Sequence, residues 1–229
     1  MLTKKKKLSK KEIKEDKLVS FMVKVESFYE DHRSKILLYA GVLIAAVVLV
    51  YFYMNEQSAL NDEAGLELSR VMPVFDSGSY LEAIEGRQGT NIIGLKRIVE
   101  EYGGTPNGEA AKIYLANCYS YLGNYDEAFK YYSDYSGDVP VFLASADAGM
   151  AGYYSSKNEF GKAADLYKKA ANVTQINPQN PDYLLNGAVS YIKAGEKEEA
   201  RILLEKINED YANSEAKKQV EKYLALVDN

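Results

Sequence analysis

The sequence predicts an all-α protein, with one N-terminal transmembrane helix followed by a solenoid of helical hairpins, three to four repeats long. Two observations carry that expectation. Residues 36–54, ILLYAGVLIAAVVLVYFYM, run nineteen positions without a charge. Downstream, small and aromatic side chains recur together at intervals of 35 and 37 residues. The composition allows a packed core, since 47% of the 229 residues are hydrophobic.

The apolar run comes first. As a helix it reaches roughly 30 Å, the thickness of a bilayer's hydrocarbon core. Tyr39 lies near one end and Tyr51, Phe52 and Tyr53 lie at the other, as interfacial aromatic belts require. A cleaved signal peptide has a shorter apolar stretch and a small-x-small site after it. YFYMNEQSA is a poor cleavage site, and the only Cys, Cys118, is too far downstream for a lipobox.

Charge sets the expected orientation. Residues 1–35 hold eleven Lys or Arg against six Asp or Glu. Residues 55–229 hold seventeen against twenty-seven. Basic residues accumulate on the cytoplasmic side of a span. The expectation is a single-pass protein of the bacterial inner membrane, N-terminus cytoplasmic and C-terminal domain periplasmic. Its parts are a basic segment (1–35), a span (36–54), a helical connector (55–76) and a repeat domain (77–229). Leu18, Phe21, Met22, Val25, Phe28 and Tyr29 follow helical spacing and predict an amphipathic helix on the inner leaflet. Lys4 to Lys7 read as a basic tail attracted to anionic lipid, not to nucleic acid.

The repeat follows from alignment of residues 115–132, 150–167 and 187–204. Ala116, Ala151 and Ala188 coincide, as do Tyr119, Tyr154 and Tyr191. So do Ala128, Ala163 and Ala200, followed by Tyr132, Tyr167 and Leu204. Small residues let antiparallel helices approach, and the tyrosines fill the space between them. Gly123-Asn124, Lys157-Asn158 and Gly195-Glu196 are the turns. GSYLEAI (78–84) reads as an upstream turn and second helix, interrupted by EGRQGTN and resumed as IIGLKRIVEEY. A last helix near 215–227 caps the array with a polar outer face. Pro73 marks a bend or end in the preceding helix.

This pattern resembles the tetratricopeptide repeat (TPR), of period 34. Pro140 stands where that motif ends its second helix. The stretch from Ala83 to Ala128, with the order of basic segment, span and interrupted repeat, also resembles a narrower group. These are bacterial single-span proteins with a periplasmic TPR domain, the YfgM-like ancillary subunits of the SecYEG translocon. The resemblance implies protein partners: the translocon, a periplasmic chaperone or another envelope complex. The alternative is a structural or assembly subunit of a larger envelope membrane complex.

In a TPR array the first helix of each pair lines the concave face. The motif's groove positions are Tyr114, Asn117 and Tyr121, then Ser145, Ala148, Gly149, Gly152 and Ser156, then Asn186, Val189 and Lys193. That gives a floor of small side chains bordered by tyrosines and amides, suited to an extended peptide or a partner helix. Small residues here serve helix packing more often than binding. The carboxylate clamp of chaperone-binding TPRs lacks its basic residues, since Ile113, Ser145 and Gly149 occupy those positions.

Catalysis is not expected. There is one His, His32, ahead of the span, and no nucleophile–base pair. GGTPNGE lacks the Lys-Ser/Thr of a phosphate loop. No metal, cofactor or small-molecule substrate is called for.

Overall fold

The computed structural model describes residues 10–228, with side chains from residue 19 onward. Lys4 to Lys7 and the Leu18 side chain lie outside this range. The described residues form ten helices and no strand. These are α1 (Lys10–Asp76), α2 (Tyr80–Glu85), α3 (Leu95–Tyr102), α4 (Pro106–Tyr121), α5 (Tyr125–Ser133), α6 (Pro140–Ser156), α7 (Phe160–Asn172), α8 (Asn180–Ala194), α9 (Lys197–Asp210) and α10 (Lys217–Asp228). The chain divides into two compact units, up to Glu56 and from Gln57 onward.

The first unit is helical from Lys10 to its end. Its apolar run is long enough to cross a membrane, with mean hydropathy 2.5 over eighteen residues and none of that window buried. The stretch read as amphipathic continues into this run without a break in the helix. Phe21, Met22, Val25, Phe28 and Tyr29 are exposed. The His32 ring stacks on Phe28 at 4.5 Å between centroids.

The second unit is a solenoid in which each helix packs on the next in sequence from α3 to α10. One turn geometry, used four times, sets its architecture. Gly78, Gly123, Asn158 and Gly195 take left-handed backbone angles, φ +79°, +79°, +61° and +84°. Such angles are cheap for Gly and tolerable for Asn, and they end a helix. The next amide then reaches back five residues. Ser79 N bonds Val74 O at 3.3 Å, Asn124 N bonds Tyr119 O at 2.8 Å, and Glu159 N and Glu196 N bond Tyr154 O and Tyr191 O at 2.9 Å. Five residues past each left-handed position stands Ala83, Ala128, Ala163 or Ala200, all buried. Only a methyl fits where the second helix crosses the first.

This geometry places a hairpin the repeat alignment did not complete. Residues 57–76, within the expected connector (55–76), form the first helix of the hairpin turned at Gly78. Val71 and Val74 occupy the positions that Ala116 and Tyr119 hold downstream. They are buried with Ile84, Leu95, Ile98, Leu115 and Cys118. The second compact unit begins at Gln57. Asn61 fastens this helix to α4, its Oδ1 accepting from the Asn107 amide at 2.9 Å. The second helix of the hairpin is split into α2 and α3 by the 86–94 loop. Pro73 lies within α1, which ends three residues later at Asp76.

Proline placement also differs from the motif reading. Pro140 does not end a second helix; it is the first residue of α6, as Pro106 is of α4. Pro181 is the second residue of α8. At these positions the missing N–H costs nothing, because the first helical amides have no intrahelical acceptor.

The best-paired buried polar group is Lys112. The Lys112 ammonium lies 2.8 Å from Glu109 Oε1 and 2.8 Å from Asp134 Oδ2. Glu109 Oε2 accepts from the Ser136 amide at 2.8 Å, tying α4 to the loop after α5. Burial works against the Lys112 charge, yet its bonds to Asp134 and Glu109 hold its pKa above that of a free lysine. In the last two hairpins α8 is the central helix: Tyr183, Leu184, Leu185, Ala188 and Tyr191 meet Leu203, Leu204 and Ile207 of α9. The closing helix α10 buries Val220 and Val227, while Leu226 stays exposed on its outer side.

Candidate functional site

Helices α4, α6 and α8 present residues to a common cleft of about 370 Å³. From α4 come Asn117, Ser120 and Tyr121; from α6 come Ser145, Ala148 and Gly149. The start of α8 and the residue before it supply Gln179, Asp182, Tyr183 and Asn186. Tyr132 of α5 and Tyr167 of α7 reach into the same space from the second helices.

Packing explains much of this surface. A Cβ on Gly149 would lie 2.2 Å from the Tyr132 ring, so glycine is what lets that ring pass beneath α6. The Tyr132 hydroxyl then donates to Asn117 Oδ1 at 2.6 Å. The Asn117 NH₂ takes no part in that bond. On the far wall the Tyr183 hydroxyl donates to Gln179 Oε1, leaving the Gln179 NH₂ available. Burial raises the pKa of Tyr132, Tyr167 and Tyr183, so these hydroxyls stay neutral. The only charged side chain on the lining is Asp182.

Beside the cleft runs a row of aromatic rings. Tyr121 is 63% exposed and stacks on Tyr80 at 4.6 Å. Phe75 lies 5.3 Å from Tyr114, and Tyr114 lies 6.0 Å from Phe142. Tyr114 thus belongs to this row and not to the cleft lining.

Six of the eleven residues read from the sequence meet in the cleft: Asn117, Tyr121, Ser145, Ala148, Gly149 and Asn186. Gly152 faces the Tyr167 hydroxyl, 3.8 Å from where its Cβ would be. Ser156 lines a separate depression beside the 123–127 turn, with its hydroxyl on Tyr153 O. Val189 is half-buried. The Lys193 ammonium sits 5.0 Å from the centre of the Phe160 ring.

Sequence reasoning missed Tyr132, Tyr167, Gln179, Asp182 and Tyr183, and also Ser120 on α4. The first two come from second helices, which the motif assigns to the core. A signal existed, because this position is Tyr in two repeats and Leu204 in the third. Gln179, Asp182 and Tyr183 precede residue 187, where the third aligned unit begins.

Cys118 is fully buried, and burial pushes its thiol up to about 12. It is a neutral packing group at physiological pH. Among the described residues no three His, Cys, Asp or Glu are grouped to hold a metal.

Residues 110–140 and 156–221 each match the tetratricopeptide repeat. No curated protein matches the chain. The matched segments contain the α4–α5 hairpin and the region from the end of α6 into α10. The second unit is therefore an all-α TPR-type solenoid, a fold that serves as a protein–protein interaction module and needs no catalytic group.

Proposed function

We propose that the chain is a membrane-anchored TPR module that holds other proteins outside the cytoplasm, beside the secretory translocon or within a periplasmic chaperone network. The observation that carries this reading is the pairing of a fully exposed apolar run with a polar, tyrosine-lined cleft on a repeat solenoid. Nineteen uncharged residues cannot remain in water at little cost: burying apolar surface is worth about 25 cal/mol per Å². A bilayer supplies that burial. The basic residues ahead of the run favour a cytoplasmic N-terminus, and the YfgM-like layout supports translocon or chaperone partners.

Purification from bacterial membranes in mild detergent tests the proposal. Enrichment of translocon subunits, chaperones or envelope proteins over an unrelated single-span control is the expected result. Recovery of the same background proteins from both would contradict it.

A further inference from the structure

We propose that the segment received by the cleft is an extended, positively charged stretch of polypeptide bearing Lys or Arg. This rests on the reading of the cleft as a partner site, and it names the chemistry that site selects.

The first argument is charge left without a partner. Asp182 is exposed on the cleft wall. Asp76, near Tyr114 at the end of the aromatic row, is also exposed, and its charge adds to the burial that raises the Tyr114 pKa. Neither forms an ion pair among the described residues. Three carboxylates of the neighbouring helices are paired, Asp126 with Lys157, Asp134 with Lys112 and Asp147 with Lys169, and Asp165 of α7 accepts from the Tyr191 hydroxyl. No Lys or Arg lines the cleft, and Lys193 is held against Phe160 instead. An acidic segment or a free C-terminal carboxylate would lose water here and find no cation. A Lys or Arg finds Asp182 and, at Tyr121, an open ring face that attracts cations.

The second argument is the remaining hydrogen-bonding capacity. Asn117 and Gln179 have their oxygens committed to Tyr132 and Tyr183, so each offers NH₂ donors to a ligand. Asn186, Ser120 and Ser145 add amide and hydroxyl groups. Uncharged donors and acceptors across a cleft match the carbonyls and amides of an extended backbone. About 370 Å³ admits a short run of residues and not a folded surface.

The test uses the full chain in zwitterionic nanodiscs and fluorescent decapeptides read by anisotropy. One peptide carries four Lys, a second carries Glu at the same positions, and a neutral chito-oligosaccharide serves as competitor. The Lys peptide is expected to bind, to weaken with added salt, and to exceed the Glu peptide by about tenfold or more. Asp182→Asn should weaken the Lys peptide about fivefold. Because Asp182 is exposed, circular dichroism of that variant should be unchanged. Equal binding of both peptides, no binding of the Lys peptide, no effect of Asp182→Asn, or displacement by the oligosaccharide at lower concentration than by unlabelled Lys peptide would overturn the proposal. If membrane purification still recovers partners in that case, the partner-site reading stands and only the assigned charge fails.

Discussion

The Tyr132 hydroxyl reaches Asn117 Oδ1 at 2.6 Å only because residue 149, above the ring, has no side chain. One glycine thus controls both a hydrogen bond between α4 and α5 and the depth of the cleft. In Gly149→Ala the new methyl must displace the ring or α6, at a cost of about 1–3 kcal/mol. The melting temperature should fall, and the Lys peptide should bind less well. Unchanged stability and binding would show that the ring has room to spare.

A second prediction concerns the turns. Asn158 is the only non-glycine residue of positive φ among those described, at +61°, in the place where Gly123 and Gly195 stand. Asn158→Gly should stay within about 0.5 kcal/mol of the parent in urea denaturation. Asn158→Val should cost about 1–2 kcal/mol, since a branched side chain fits this conformation poorly.

The ion cluster around Lys112 predicts an asymmetric response. Lys112→Met keeps the buried stem but strands the Glu109 carboxylate, for a loss of about 3 kcal/mol. Lys218→Met breaks an exposed pair with Glu215, and its loss should stay below about 1 kcal/mol. Paired urea melts of the two variants separate these cases.

The arrangement of hairpins was legible in the sequence where the repeat keeps its small residues. Ala128, Ala163 and Ala200 lie five residues past their turns, and a buried methyl is hard to replace there. The first hairpin was harder to see because Val71 and Val74 replace the Ala and Tyr of later repeats, and larger apolar residues do not advertise a register. The cleft was half visible. Asn117, Tyr121 and Ser145 follow from helix position alone, whereas Tyr132 and Tyr167 depend on how far a long side chain reaches from the second layer. Gln179 lies in the loop before α8, beyond any helical period.

Alkali offers a further check. Tyrosine ionises near pH 10.0 when free, and burial holds Tyr132, Tyr167, Tyr183 and Tyr191 above that. Below about pH 10 these groups are neutral folded or unfolded, so their contribution is fully present. Above it the unfolded chain releases protons that the fold retains, and stability falls as pH rises toward the folded values. The urea midpoint should hold near pH 8 and fall progressively above about pH 8.5, first through Cys118 and then through the tyrosines. Tyr132→Phe should make that drop shallower. Cys118 adds to the same trend over pH 9 to about 12, and alkylation of its thiol at pH 8 should require unfolding.

The most direct measurement is photo-crosslinking in intact cells, with benzoylphenylalanine placed singly at Tyr121, Ser145, Asn186 and, away from the cleft, at Ile202. The account predicts adducts to one discrete set of proteins from the three cleft positions and not from Ile202. Adducts from Ile202 alone, or none from the cleft, would contradict it.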